Sequence, residues 1–250
     1  MQKNKILGIK LGSAVLVDDG KINQNLIMKV CVQVARLLRD GYGVFIVTSG
    51  AIASDANKNR SKNLRSAVGQ IRIANAFRVA LKKFNIDGAQ MLLTDEQLIK
   101  IESPKTDLTK KIMLEAFSAG VVAIINANDV IDNEEINALE FCADNDKLFK
   151  LMCQLIKADI AIIGFDQSGF LDLNGQVMHR VKVSEIERVL RCARGGNALG
   201  HGAEGMRTKV LSLIELAQAG TQAWLVPAKE ENFILKAVFE EKAFGTRFFG

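Results

Sequence analysis

The sequence predicts an α/β fold: a doubly wound, mainly parallel sheet with helices on both faces. Two observations predict it. Short, near-continuous Val/Ile/Leu runs read as strands buried on both faces, the mark of parallel sheets. Strand and helix patterns also alternate along the whole chain, as they do when each crossover is a helix. A third observation bears on function, because four strands run into polar residues. KILGI leads to Lys10, GVFIVT to Ser49, VVAIIN to Ala127-Asn128-Asp129, and AIIGF to Asp166. Ligands of open parallel sheets bind outside the carboxyl ends of the strands. One sheet edge therefore gathers a lysine, a hydroxyl and two carboxylates, the working face of an enzyme.

Taken in order, residues 5–10 read as a strand, 23–39 as a helix and 43–48 as a strand. Helical patterns follow near 66–84, a strand at 88–93, a helix at 107–119 and a strand at 120–125. A helix runs from Asn145 to about Lys157, then a strand over 158–164, a helix over 206–219 and a strand over 221–226. Segment 165–182 carries Asp-Gln-Ser-Gly and Asn-Gly turn signals, so a hairpin is expected there. No internal repeat, low-complexity tract or clear linker interrupts the pattern. The chain reads as one domain over 1–250, with a lobe boundary near residue 157.

Composition narrows the function classes. Hydrophobic residues make up 48% and charged residues 24% of 250 residues, ordinary globular usage. No apolar run reaches the roughly 20 residues a membrane span requires. The apolar part of the N-terminus is too short for a signal peptide, which points to the cytosol. Cys31, Cys142, Cys153 and Cys192 form no Cys-x-x-Cys pair and fit no zinc pattern; Cys31 and Cys153 fall inside helical apolar patterns, so buried free thiols are expected there. His179 and His201, the two histidines, are far apart in sequence, which argues against a His-based metal site. The net charge of +5 is spread, without the aromatic interleaving of a nucleic-acid binder, and suits anionic substrates. The basic run Lys58 to Arg65 reads as a solvated loop or a phosphate strip.

Four segments carry candidate chemistry. Lys10 ends a buried strand and precedes Leu11-Gly12-Ser13. A buried lysine needs an anion beside it, and amides around a glycine can cradle phosphate oxygens; a lysine snorkelling to solvent is the plainer alternative. Thr48-Ser49-Gly50-Ala51 joins a strand to a helical segment, where free helix amides can take an anion or Ser49 can simply cap. Asp144-Asn145-Asp146 opens a helix, so one of the three is accounted for as a cap. With Asn126 and Asp129, the rest suits an ammonium group and the positioning of lysines. Gly200 to Gly205 matches G-x-G-x-x-G without a preceding strand or a following acidic partner, which excludes a dinucleotide fingerprint. Lys209 falls in the first turn of the helix expected after it, where a phosphate would offset an unfavourable dipole unless the lysine is solvated.

These residues resemble the glutamate 5-kinase branch of the amino acid kinase family. Lys10-Leu11-Gly12-Ser13 is similar to its first strand and phosphate loop, and Val47 to Ala53 to its second-strand motif. Ala67-Val68-Gly69-Gln70 and Gln90 to Thr94 match two further stretches. Ile125 to Asp129 resembles I-N-E-N-D, Asp144-Asn145-Asp146 resembles D-N-D, Gly205 to Lys209 resembles G-M-x-T-K, and Gly245 to Phe248 resembles the end of the kinase domain.

The resemblance implies a three-layer α/β/α sandwich on a sheet of about eight strands. Residues 1–157 would hold the amino acid and 158–250 the nucleotide. The implied reaction moves the γ-phosphoryl group of ATP, with Mg²⁺, onto the side-chain carboxylate of L-glutamate, the first step of proline synthesis. Lys10 and Lys209 would flank the transferring group, with Asp146 holding both. Ser49, Gly50, Ala51, Asn126, Asp129 and Asn145 would bind glutamate. Lys10, Gly12, Ser13, Phe165, Asp166, Gly202, Gly205, Met206 and Lys209 would face ATP. A homo-oligomer, dimer or tetramer, coupled to a glutamyl phosphate reductase is implied, with no nucleic-acid or membrane partner. The sequence departs from the pattern at Glu204 in the nucleotide loop, at Phe165, at Ala127 and at Phe149 after D-N-D. The loop from Asp129 to Asp144 is longer than usual, and a chain ending at the kinase domain leads to the expectation that the family's accessory domain is lacking. A same-fold kinase for another carboxylate, or a degenerate paralogue that binds without catalysis, are the alternatives.

Overall fold

The computed structural model describes residues 5–94, 96–99, 103–129, 145–195, 201–239 and 244–250. Apolar runs form the interior strands: β1 (Ile6–Leu11), β4 (Gly43–Thr48), β6 (Val122–Ala127) and β7 (Ile160–Phe165), every residue of which is buried. Their continuous burial follows from the two helical layers that cover the sheet. With β5 (Gly88–Leu93), β8 (Arg180–Lys182), β9 (Gln222–Pro227) and β10 (Thr246–Phe249) they make one eight-stranded sheet, ordered β5-β6-β4-β1-β7-β9-β10-β8. All neighbours are parallel except β9 and β10. A small hairpin, β2 (Val17–Asp18) and β3 (Lys21–Ile22), follows the four-residue helix α1 (Ser13–Leu16).

Helices α2 (Gln24–Arg39) and α4 (Lys62–Lys82) cover one face of the sheet, joined by the short α10 (Phe233–Val238). The apolar side chains of α2 recur at helical spacing at Ile27, Val30, Cys31 and Val34, all buried against Leu7, Ile9 and Val44. Asn23 caps α2 by accepting from the Leu26 amide at 3.0 Å. Ser61 caps α4 in the same way, which is why that helix starts four residues before its apolar periodicity. Helices α6 (Pro104–Ser118), α7 (Asn145–Ile156) and α9 (His201–Gln218) cover the other face, where Met113, Met152, Leu213 and Ile214 meet Phe45, Val47, Ile125 and Ile163. Three short α-helices, α3 (Ala51–Ser54), α5 (Glu96–Ile99) and α8 (Ile186–Gly195), and a 3-10 turn over Val183–Glu185 complete the set of described elements. The expected α/β/α sandwich is thus present.

The hairpin expected in 165–182 shrinks to one antiparallel bridge, Leu171 to Val177, around the Asp172–Gly175 turn. Helix α9 starts at His201 rather than 206, so Gly202 and Gly205 lie within helical turns and not in a preceding loop. Elements without a clear period in the sequence, β2, β3, α10 and β10, emerge only in the structure. Cys31 and Cys153 are buried free thiols as expected, Cys192 is a third, and Cys142 lies outside the described residues. Burial pushes the Cys31 thiol up to about 12 and raises that of Cys153 as well.

Phe149 packs into the core with its ring 6.1 Å from that of Phe45. The room for both comes from β1, where a Cβ on Gly8 would lie 2.5 Å from the Phe45 ring and 2.9 Å from Phe149. Gly8 and Lys10 share a face of the strand. The departure at Phe149 is therefore a core substitution beneath the lysine and not an obstruction in the site.

Candidate active site

Lys10 stands next to last in β1, with Val47 on one neighbouring strand and Ile163 on the other. It is 3% exposed, which requires a counter-charge. Asp146, in the first turn of α7, provides it: Lys10 Nζ lies 2.7 Å from Asp146 Oδ1. The second oxygen of the same carboxylate faces Lys209, with Nζ 3.1 Å from Oδ2. Asp146 is almost completely buried and favourably placed at a helix start. Lys209 is 19% exposed in its side chain, so the pair of lysines opens to solvent on the α9 side. Its ammonium also donates to the Gly205 carbonyl at 3.0 Å. Both lysines thus converge on the two oxygens of one buried carboxylate.

The α7 start is tied to the end of β6. The Ala127 amide donates to Asn126 Oδ1 at 2.8 Å and to Asn145 Oδ1 at 3.3 Å. Asn126 is buried, and its Nδ2 has no partner among the described residues. A buried donor left in this way is costly unless something arrives to accept from it. Asp129, half-buried, accepts on its carboxylate from the Ser66 hydroxyl and on its main chain from Asn63 Nδ2 at 2.8 Å. Asp144 lies outside the described residues.

Ser49 follows β4, and its amide donates to the Leu11 carbonyl at 3.1 Å. Gly50 has φ +91° and begins α3; a Cβ there would lie 3.0 Å from Val17 and 3.4 Å from the Ser13 Cα. The turns after β1 and β4 are thus packed on each other, with Ser13, Ser49 and Ala51 side by side in one corner. Gly12 joins that corner to β7 through its amide, which donates to the Gly164 carbonyl at 3.3 Å. At the end of β7, Asp166 is exposed while the Phe165 ring is buried in the core, so only the backbone of Phe165 can face a nucleotide. Met206 packs against the same core. Glu204 falls within α9 by position, and the side chains of His201 to Glu204 lie outside the described residues.

Of the basic run, Lys58, Arg60 and Lys62 are exposed, in keeping with a solvated loop, while Arg65 is half-buried and, with Arg72 beyond the run, braces α3. Arg65 donates to the carbonyls of Ile52 and Asp55, and Arg72 to that of Ser54, closing the carboxyl end of α3. Arg60 pairs with the Asp55 carboxylate at 3.1 Å. Burial raises the Asp55 pKa, but the Asn57 amide and the Arg60 and Arg72 guanidiniums outweigh it and hold the carboxyl below its ordinary 3.8. Sequence reading missed Asn63, Ser66 and Gln70 as neighbours of the site; their recurrence at three- and four-residue spacing on a helix was the available signal.

A central lysine, a shared buried carboxylate and a second lysine from a distant helix, at the carboxyl edge of an eight-stranded sheet, define the class. The chain belongs to the amino acid kinase family, whose model matches residues 5–226. Within it, the chain is similar to glutamate 5-kinases: 33% identical to that of Pelobacter propionicus over 93% of this chain and 65% of the relative. Similarity to the glutamate 5-kinase of Janthinobacterium sp. is 30% over 99% of this chain and 68% of the relative. The chain thus spans about two thirds of the length of these relatives. In fold it is similar to carbamate kinase from Giardia lamblia bound to AMP-PNP, with a TM-score of 0.68 at 17% identity, covering 100% of this chain and 99% of that one. UMP kinase from Ureaplasma parvum gives a TM-score of 0.64 at 16% identity, covering 99% and 100%. Among the described residues no helix is long and apolar enough to cross a membrane.

Proposed function

We propose that this protein transfers the γ-phosphoryl group of ATP to the side-chain carboxylate of L-glutamate, giving γ-glutamyl phosphate. The observation that carries the reading is the convergence of Lys10 and Lys209 on the two oxygens of Asp146, at 2.7 and 3.1 Å. Phosphoryl transfer asks a protein for positioning and for charge stabilisation at the oxygens of the moving group. Two ammonium groups held by one carboxylate supply both, because neither lysine must reorganise when a phosphoryl group enters between them. A glutamate carboxylate oxygen attacks the γ-phosphorus, the bond to the bridging oxygen breaks, and ADP leaves. Mg²⁺ neutralises phosphate charge when bound. No cluster of three or more His, Cys, Asp or Glu side chains lies among the described residues, so it would enter on the nucleotide phosphates.

Residues 1–157 hold the acceptor in this reading. Asp129 receives the ammonium group, while Asn145, the unpartnered Nδ2 of Asn126 and the corner of Ser49, Gly50 and Ala51 serve its oxygens. Residues 158–250, with Gly12 and Ser13, hold the nucleotide along Asp166, the Phe165 backbone and the start of α9 through Gly202, Gly205 and Met206. The protein works as a homo-oligomer, with exposed Leu64, Ile71 and Val79 on α4 as contact surface. A glutamyl phosphate reductase then consumes the labile acyl phosphate.

The test is hydroxylamine trapping. Purified protein with L-glutamate, ATP and Mg²⁺ is expected to give hydroxamate, and to give none when any one is omitted. Strong product from another carboxylic acid and none from glutamate would reassign the substrate; no product from any acid would remove the activity.

A further inference from the structure

We infer that Ser66 is a positioning residue for amino-acid recognition: its hydroxyl fixes the Asp129 carboxylate that receives the substrate ammonium. The inference rests on the reading given under Proposed function. Asn63, Ser66 and Gln70 share one face of α4. Each bonds to the carboxyl end of β6 or to the segment just after it. Asn63 Nδ2 donates to the Asp129 carbonyl at 2.8 Å and Gln70 Nε2 to the Ala127 carbonyl at 2.7 Å. These two hold backbone. Ser66 Oγ donates to Asp129 Oδ2 and so, of the three, holds the carboxylate itself.

Ser66 is fully buried and Gln70 nearly so, while Asn63 and Asp129 are half-buried, so the anchor runs from the core out to the rim of the site. Past Ala127 the strand ends, and one further ladder bond, from the Asn128 amide to the Leu93 carbonyl at 3.0 Å, ties the backbone to β5 but leaves the Asp129 side chain to other partners. The helix face supplies one. The same helix packs tightly on the α3 turn that follows Ser49 and Gly50, so α4 holds both sides of the acceptor corner in one register. A charge-assisted hydrogen bond to an ammonium is short and directional. A carboxylate free to rotate would offer that direction only part of the time, and the cost falls on ligands that carry the ammonium.

This gives a readout that a merely structural serine would not move. Glutarate has both carboxylates of glutamate and lacks its ammonium. Titration calorimetry with L-glutamate and with glutarate is run on the wild type, Ser66→Ala and Ser66→Cys, beside steady-state kinetics. Cysteine keeps nearly the same volume and is a weak donor. In both variants glutamate affinity is expected to fall about ten-fold, the range of a hydrogen bond to a charged group. Glutarate affinity, kcat at saturating glutamate and KM for Mg-ATP should stay within about two-fold of wild type. Equal losses for both acids, or no loss for glutamate, would overturn the assignment of Ser66 alone, provided the wild type prefers glutamate. A wild type that neither prefers nor phosphorylates glutamate would overturn the functional reading, and this inference with it.

Discussion

Gly69 and the Ala51 carbonyl oxygen leave no room between them for a methyl group: a Cβ built on Gly69 would lie 1.8 Å from that oxygen and 2.5 Å from the Ser54 Oγ. The contact is with backbone, which cannot rotate away as a side chain tip can. Helix α4 is thereby pressed onto the turn that carries Gly50 and Ala51. Gly69→Ala forces the two apart, and overpacking of this kind costs about 1–3 kcal/mol, with the backbone clash favouring the upper end. Thermal unfolding should show a drop of several degrees, and glutamate affinity should fall with it. A variant as stable as wild type would mean that α3 shifts freely.

Lys10→Met and Lys209→Met should each lower kcat by roughly 10²–10³, the loss expected for one preorganised charge-stabilising donor. Both should fold, since each side chain serves an anion and not the packed core. Hydroxamate formation measured beside a thermal melt separates the two effects. Unchanged turnover would take the residue out of the mechanism.

Asp146→Asn removes the one carboxylate that both lysines face. Lys10 then loses its 2.7 Å ion pair in a buried setting, and breaking a pair of this kind costs about 3–5 kcal/mol. A bound anion restores the balance, so Mg-ATP should raise the melting temperature of the variant by more than it raises that of wild type. Equal shifts in the two proteins would show that the phosphates do not meet these lysines.

Asp55 gives a pH signature. Its folded pKa lies below the ordinary 3.8, held there by Asn57, Arg60 and Arg72 against the opposing effect of burial. A depressed carboxyl contributes stability that is fully present above the unfolded value and lost as pH falls through the folded one. The stability gap between wild type and Asp55→Asn should therefore be constant above about pH 5 and close below 3.8. Urea unfolding at pH 7, 5, 4 and 3 checks the sign; a gap that widens on acidification contradicts it.

Burial should keep Cys31 and Cys153 unreactive. With the Cys31 thiol pushed to about 12 and Cys153 raised too, the thiolate is scarce at pH 8 and solvent does not reach it. Maleimide labelling followed by peptide mapping should leave both unmodified until denaturant is added. Modification of either in the folded protein would indicate local opening of α2 or α7.

The central strands were legible because burial on both faces writes itself as uninterrupted Val/Ile/Leu: GVFIVT is β4 residue for residue, and GAQMLL is β5. Lys10 and Asp146 were legible through their motifs, though spacing alone could not say that two lysines 199 positions apart would share one carboxylate. The start of α9 was misplaced because glycines at 202 and 205 read as a loop, while tertiary packing of the helix overrides that weak propensity. The short hairpin of β2 and β3 and the four-residue β10 were illegible because their pairing is set by partners and not by a period of their own. Arg65 falls in a run that reads as a solvated loop or a phosphate strip, since nothing in a run of basic residues announces which carbonyls it will close.

Gly8 and Phe149 share one volume, so neither is free to change alone. Enlarging residue 8 drives a methyl into two aromatic rings, and shrinking residue 149 opens a void under the buried lysine. Any evolutionary route between this packing and one with a small residue at 149 passes through a worse intermediate, unless both positions move together. Grafting single residues from relatives onto this scaffold would meet the same barrier, and a library that varies the two sites as a pair would cross it.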